Sequence, residues 1–412
     1  MGFLLRARAP LKKKGLFLSS RISIKQIVDA ILDGTRRTPL EAVTSSEKYR
    51  ENGFDIMLHP AAGPLKVEVA EDWVTVETKT STAGPGFHAY VVSILDQTQR
   101  ALGLKWEWDD ETGYVQERDF ESLQAQMAFF LNHLAIHMLK EVETVGATGT
   151  KIFMPVDFGA EPREGEIFTP MGPMTVADLQ QWAGTDVDGQ IAGAADFFPW
   201  WGQGFDGSFF RGLALHSLWM DIRWPTPLDS EEVELTKRTL RWCSQTLKLG
   251  AELPIPESAI IELSDLIVSE EHRRPLPKED GIGYRRRLWK RSVTGDWKAT
   301  MPGSLKETVE EADGKTTTVI GCDGLDIRVS VYTAPLDDKH IAAGAFDGEV
   351  TKIDRRIDRL ETSVTVLAFA RTFKAKDRAH ICLLTITSTT PDMGALGQRI
   401  AESLAYEPPR RA

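Results

Sequence analysis

A run of aromatic residues between positions 197 and 210 is the feature that most restricts how this chain can fold. It holds seven aromatic side chains among glycines and a proline. Helices disfavour glycine and proline, and an ordinary strand tolerates few such breakers. The run therefore predicts an irregular segment, whose rings either pack beneath a neighbouring part of the protein or stay accessible to another molecule.

Length, charge and cysteine usage limit the classes of function. A chain of 412 residues exceeds one ordinary core, so we expect two to three domains. The net charge of −11 argues against nucleic acid as the main partner, because phosphate binding needs a basic surface. It suits a basic protein partner through electrostatic steering, or solubility alone.

No run of the sequence approaches the ~18 apolar residues that a membrane span requires, so we predict no span. Three widely spaced cysteines, Cys243, Cys322 and Cys382, are typical of a reducing compartment, and they predict a cytoplasmic protein.

Hydrophobic periodicity divides the chain into four predicted regions. Residues 1–50 should form a basic arm with a short helix, since their first half holds basic but no acidic side chains. Residues 51–160 mix strand and helix patterns and predict an α/β domain, with the clearest helix over 119–141. Residues 161–275 predict a helical region that contains the aromatic run, and residues 276–412 predict an antiparallel sheet with a closing helix. The predicted fold class is α+β with several domains.

The last of these regions resembles a known family. Residues 296–303 read Asp-Trp-Lys-Ala-Thr-Met-Pro-Gly, and they resemble the opening strand and turn of Mog1/PsbP/DcrB-like domains. The later paired strands and residues 396–404 are similar to that family's ending. The resemblance covers the last third of the chain, and it implies a binding or chaperone role there, because the family is mostly non-catalytic. An acid-rich insertion near 336–360 departs from the compact family pattern.

The loop at residues 80–88 is a predicted anion-binding site. It joins a strand to a helix, so backbone N–H groups and the positive end of the helix converge there. Thr82, Gly84, Gly86 and His88 are the residues expected to contact a carboxylate or phosphate. A tight structural turn is the competing interpretation, because the loop lacks the lysine of a Walker loop and the third glycine of a dinucleotide fingerprint.

Histidines supply the main catalytic alternative. His133 and His137 stand four residues apart on the predicted helix, so they share one face. Together with His88 they would provide acid–base or metal chemistry in the N-terminal domain. The zincin pattern needs a glutamate directly after the first histidine, and Leu134 stands there instead. We therefore predict no bound metal and no cofactor.

The aromatic run is the predicted partner-binding site. Tryptophan and phenylalanine dominate interface hot spots, and two charged residues lie beside the rings. The competing interpretation is a small second core beneath a long loop. The predicted partner-binding residues are Phe197, Phe198, Trp200, Trp201, Phe205, Asp206, Phe209, Phe210 and Arg211.

Taken together, these patterns favour a non-catalytic, acidic protein-binding protein, such as an immunity, chaperone or adaptor partner of another bacterial protein. Its partner would present a basic or apolar surface. No Gly-x-Ser-x-Gly elbow is present to indicate a serine nucleophile. One alternative is an enzyme that uses the 80–88 loop and the histidines, and a second is a structural subunit of a larger assembly.

Overall fold

Two units make up the chain. Unit 1 contains Met1–Val156, Pro162–Trp219 and Arg238–Pro256, and unit 2 contains Asp157–Glu161, Met220–Lys237 and Glu257–Ala412. The computed structural model describes residues 2–11, 22–36, 38–40, 47–50, 53–145, 149–155, 158–227, 229–250, 255–268, 281–312, 315–337, 339, 348–357, 362–375 and 378–408.

Unit 1 is built on a six-stranded antiparallel sheet. Its strands are β1 (Leu4–Pro10), β2 (Glu47–Arg50), β3 (Gly53–Ile56), β4 (Leu65–Ala70), β5 (Trp73–Lys79) and β6 (Glu107–Asp110). They lie in the order β2-β3-β4-β5-β1-β6. Val74 and Val76 of β5 are buried while their neighbours are more exposed, which is the period-two pattern of a strand with one covered face.

Strand β1 lies inside this sheet, which differs from the basic arm expected over residues 1–50. Ala7 pairs with β5 on one side and with β6 on the other. The Arg6 guanidinium lies 2.9 Å from the Glu77 carboxylate on β5, and Arg8 lies 5.1 Å from the ring centre of Trp73. The basic side chains thus form cross-strand pairs that help to fix the register. The basic residues within 12–21 lie outside the described residues.

Seven described helices lie wholly within unit 1, and side chains cap the start of several of them. They are α1 (Ile24–Thr35), α2 (Pro85–Leu102), α3 (Tyr114–Glu117), α4 (Phe120–Val145), α5 (Val176–Ala183), α6 (Val187–Gly193) and α7 (Gly207–His216). Ser23 and Gln26 form the capping box that begins α1, and the Asp206 side chain accepts a hydrogen bond from the Phe209 N–H at the start of α7. The strongest predicted helix, at 119–141, is confirmed as α4.

A small three-stranded sheet completes the strands of unit 1. It consists of β7 (Gly149–Lys151), β8 (Glu166–Thr169) and β9 (Gly172–Thr175). Strands β7 and β8 are parallel, and β8 and β9 are antiparallel.

Unit 2 holds two antiparallel sheets. The smaller has the order β10-β11-β18 and the larger has the order β12-β13-β14-β17-β16-β15. The strands are β10 (Leu288–Thr294), β11 (Trp297–Pro302), β12 (Lys306–Ala312), β13 (Lys315–Cys322), β14 (Leu325–Pro335), β15 (Gly348–Ile357), β16 (Thr362–Lys374), β17 (Arg378–Ser388) and β18 (Ala405–Tyr406). Part of the acid-rich insertion, at 340–347 and 358–361, lies outside the described residues.

The remaining helices are α8 (Ser230–Leu249), α9 (Glu257–Val268) and α10 (Pro391–Glu402). The sequence predicted one helical region over 161–275, but the structure divides these residues between the two units. Helix α10 is the predicted closing helix, and Met393, Leu396 and Ile400 on it belong to the core of unit 2. The predicted α+β class and the C-terminal antiparallel sheet with its helix are confirmed. Within the described part of the chain, every helix is too short or too polar to cross a bilayer.

The contact between α10 and the larger sheet gives a stability prediction. A Cβ at Gly397 would lie 2.5 Å from Ile386 Cγ2 and 3.2 Å from Leu325 Cδ1, both of them buried core groups. Overpacking in Gly397→Ala should therefore cost about 1–3 kcal/mol of the free energy of unfolding, partly offset by a gain in helix propensity, as measured by urea denaturation.

Gly394→Ala on the same helix is the matched control. Its Cβ would lie 3.1 Å from the hydroxyl oxygen of Ser388, and no other neighbouring atom is close. Both variants gain the same helix propensity, about 1 kcal/mol, so their difference isolates the packing term. Equal stability of the two variants would contradict the close packing of α10 on the sheet.

Candidate functional site

The aromatic segment (residues 197–210) and the glycine loop (residues 80–88) come together in unit 1. The Trp200 N–H donates a hydrogen bond to the Ala83 carbonyl over 2.8 Å, and the Trp200 carbonyl accepts one from the Gly86 N–H over 3.0 Å. The two predicted sites are therefore parts of one structure. A main-chain carbonyl occupies the position at the start of α2 that an anion would need.

The glycines of the loop permit this close approach. Gly84 has φ +112°, and a Cβ there would lie 2.7 Å from the Trp200 carbonyl oxygen and 2.9 Å from Phe198 Cβ. A Cβ at Gly86 would overlap the Trp200 indole. Because the aromatic segment covers both glycines, they are inaccessible to the carboxylate or phosphate that the sequence predicted. Thr82 is half-buried, and its hydroxyl has no hydrogen-bond partner among the described residues.

His88 is also inaccessible, since its side chain is fully buried in a polar network. Its Nδ1 lies 3.0 Å from the Thr80 hydroxyl, and its Nε2 lies 3.5 Å from a carboxylate oxygen of Asp110. Asp110 also accepts hydrogen bonds from the Thr112 hydroxyl over 2.7 Å and from the Val115 N–H over 2.8 Å. This arrangement joins the start of α2 to the turn after β6.

The Asp110 carboxylate is held in its charged form. Burial acts to raise its pKa, but the hydrogen bonds from His88, Val115 and Thr112 outweigh burial and hold the pKa well below its usual range. Thr80, His88 and Asp110 have the residue types of a nucleophile relay, but the Thr80 side chain is fully buried. The network therefore has a structural role, since no substrate can reach the hydroxyl.

The structure does not bring the three candidate catalytic histidines together. His133 and His137 are exposed on α4, whereas His88 is buried. The His133 ring packs edge-on against Phe129 with centroids 4.3 Å apart, and His137 lies 3.6 Å from the Glu141 carboxylate. A search of the described residues finds no group of three histidine, cysteine or acidic side chains that could hold a metal ion.

Most rings of the aromatic segment are core, which corrects the expectation that the whole cluster is available to a partner. Phe197, Phe198, Trp200, Phe209 and Phe210 are at most 7% exposed. The Trp200 ring centroid lies 5.0 Å from that of Tyr90 and 4.6 Å from that of Phe209. Trp201 and Phe205 are half-buried.

The two charged residues of the segment have local partners. The exposed Asp206 caps α7, and Arg211 is half-buried with a guanidinium nitrogen 3.3 Å from the Asp196 carboxylate. Asp206 and Arg211 therefore stabilise the local conformation of the aromatic segment, and they do not add a free charge to a contact surface.

Sequence reasoning missed His59, which lies in the core beside Trp200. It is fully buried, and its ring centroid lies 5.7 Å from that of Trp200. Its Nδ1 accepts a hydrogen bond from the Ala61 N–H over 3.1 Å, so Nε2 carries the proton of the neutral ring. Burial, with a smaller contribution from His216, lowers the pKa of His59 well below 6.5. No sequence pattern around His59 marks it as buried.

A row of neighbouring rings joins the aromatic segment to other parts of unit 1. This ring row consists of Phe3, Phe130, Phe153, Phe198 and Trp201, with successive centroid separations of 5.3, 6.4, 5.0 and 5.6 Å. Phe198 is buried, and the other four rings are half-buried. Half-buried rings keep part of their apolar surface accessible while neighbouring rings fix their orientation.

Phe153, at the centre of the ring row, has a strained backbone. Its φ is +56°, in the left-handed region that costs a non-glycine residue roughly 1–2 kcal/mol. Strained residues of this kind cluster at functional sites, so the outlier is a reason to suspect a function here. Phe3, Phe130 and Phe153 were missed because each lies far along the chain from the aromatic segment.

No protein-family model, curated protein or solved structure matches the chain. The resemblance of the last third to Mog1/PsbP/DcrB-like domains stays a prediction.

The buried His59 predicts loss of stability in acid. Because the pKa is lowered in the folded protein, the unfolded chain takes up a proton first as the pH falls below about 6.5. The free energy of unfolding should then decrease by up to about 1.4 kcal/mol per pH unit from this group alone. Urea denaturation between pH 7.5 and 5 measures the slope.

His59→Gln should flatten that slope, and His133→Gln, which changes an exposed histidine, should leave it unchanged. Wild-type and His59→Gln proteins with the same pH dependence would show that His59 is not the group that titrates.

Proposed function

We propose that this protein binds another protein without catalysing a reaction, and that the ring row is the contact surface. The observation that carries the proposal is the row of five neighbouring rings, four of them half-buried, which ends at Trp201. Aromatic side chains of this kind supply large apolar area at a small entropic cost, and they dominate interface hot spots.

Charge and strain support the same proposal. The net charge of −11 favours steering of a partner with a basic surface, and the rings favour an apolar patch within it. The strained Phe153 holds its ring between those of Phe130 and Phe198. An immunity, chaperone or adaptor protein of a bacterial cytoplasm is the class that we infer.

The two other functions considered gain little from the geometry. An enzyme that uses His88 and the glycine loop would need access to both, and both are covered. A structural subunit would use the ring row to contact copies of itself or fixed neighbours. Size-exclusion chromatography of the pure protein distinguishes that role, since self-assembly would bury the ring row without a second protein.

Trp200 and Trp201 provide a matched pair of variants for the test. The side-chain amide of Gln124 donates to the Trp201 main-chain carbonyl over 3.0 Å, so the backbone stays anchored when the Trp201 ring is removed. Trp201→Ala should leave the protein folded. It should weaken binding by at least about thirtyfold, which corresponds to the ~2 kcal/mol lower limit for a hot-spot residue. Trp200→Ala removes a core ring and should destabilise the fold by about 3–5 kcal/mol.

A pull-down from the native host, read by mass spectrometry, supplies the partner, and calorimetric titration then measures its affinity for each variant. Leu247→Ala, which changes an exposed apolar residue of unit 1, is the control and should bind as the wild type does. If Trp201→Ala retains wild-type affinity for every captured protein, the ring row is not the contact surface.

A further inference from the structure

Unit 2 gathers two guanidinium groups around one main-chain oxygen. Arg223 and Arg291 each donate a hydrogen bond from Nη1 to the Leu305 carbonyl, over 3.0 and 3.1 Å. Each also has an acidic partner, since Arg223 lies 3.2 Å from Glu232 and Arg291 lies 2.8 Å from Glu307. These two positive charges are therefore held close together, and each is balanced.

A third guanidinium, that of Arg285, belongs to the same cluster but is not balanced. Its Nε donates to the Met220 carbonyl over 2.7 Å, and its central carbon lies 5.3 Å from the ring centre of Trp289. Among the described residues, no acceptor bonds its two terminal amino groups and no carboxylate lies within 4 Å. Arg285 is half-buried, so these amino groups lie in a partly desolvated position.

The surroundings of Arg285 disfavour its positive charge as long as no counter-ion is bound. Burial, followed by repulsion from Arg223, lowers the pKa of Arg285 to about 10, and Asp221 opposes this only in part. Burying a charge without a partner costs free energy, and a bound anion would remove that cost. The hydroxyl of Ser304, next to Leu305 in the chain, is also buried and has no hydrogen-bond partner within the described residues.

We propose that Arg285 forms a carboxylate-binding site in unit 2, with its two terminal amino groups as the donors and Trp289 beneath the guanidinium plane. The planar fork of an arginine matches the two oxygens of a carboxylate and bonds both at once. The site does not depend on the ring row, which lies in unit 1.

Local charge favours a carboxylate over a phosphate dianion. Arg285 is the one guanidinium of these three without a described carboxylate within 4 Å, because Arg223 and Arg291 already have acidic partners. Asp221 and Glu232 still act on Arg285 from farther away, so they reduce the local positive charge and disfavour a doubly charged ligand. A single carboxylate, from a small organic acid or from the end of a peptide chain, fits this balance.

Acetate is the probe for the test, with the full-length protein. Tryptophan indole Nε1–Hε1 resonances of ¹⁵N-labelled protein are followed by NMR during titration with sodium acetate, at constant ionic strength maintained with chloride, because the Trp289 ring lies beside Arg285 and is retained in the Arg285 variants. We expect one indole resonance to shift and saturate with acetate, and no saturable shift with neutral acetamide. Arg285→Gln should lose the response, with at least about tenfold weaker binding, because a charge-assisted bidentate contact is removed.

Arg399→Gln, which changes an exposed arginine on α10, is the matched control and should retain the response. Arg285→Lys keeps the charge but loses the fork, so it should also bind acetate weakly if Arg285→Gln does not fold. An absence of saturable shift in the wild type, or an equal response in the Arg285 variants, would overturn the proposal.

The source of the carboxylate is distinguished by a second titration. A short peptide with a free C-terminal carboxylate is compared with the same peptide in amidated form. Tighter binding of the free peptide than of acetate supports a protein ligand, and equal affinities support a small organic acid. Equal binding of the free and amidated peptides would contradict carboxylate recognition.

Discussion

The two hydrogen bonds between Trp200 and the glycine loop are the contact on which the rest of unit 1 depends. They join the aromatic segment to the start of α2, at a separation that only glycine allows at positions 84 and 86. Once this contact forms, the Trp200 ring must lie in the core beside Tyr90 and His59. The loop that resembles an anion site is therefore filled by the protein's own backbone, and its positive helix end is satisfied internally.

The same contact divides the aromatic segment into two parts with different roles. Trp200 is 1% exposed, whereas the adjacent Trp201 is half-buried and stacks on Phe198. A composition rich in rings is thus compatible with both a core and a contact surface. The sequence allowed two competing interpretations of the segment, as core or as a partner-binding site. In the structure Trp200 belongs to the core, and Trp201 remains available for the proposed contact surface.

Local patterns were sufficient for much of the fold. The short helix of the first region, the clear helix over 119–141 and the antiparallel sheet of the last region each depend on patterns among neighbours a few residues apart, and each was predicted correctly. Strand β1 was missed because the partners of its basic side chains lie far along the chain: Arg6 pairs with Glu77, and Arg8 lies against the Trp73 ring. The ring row and His59 were missed for the same reason. Periodicity reports which face of an element is apolar, but not which distant residues meet there.

The left-handed backbone of Phe153 has a consequence for substitutions at that position. Glycine would occupy φ +56° without this penalty, so phenylalanine carries a backbone cost of roughly 1–2 kcal/mol that glycine would avoid. The folded protein as a whole offsets that cost, and the contacts of the ring with Phe130 and Phe198 are part of what offsets it. A smaller side chain other than glycine would therefore keep the backbone cost and lose those contacts.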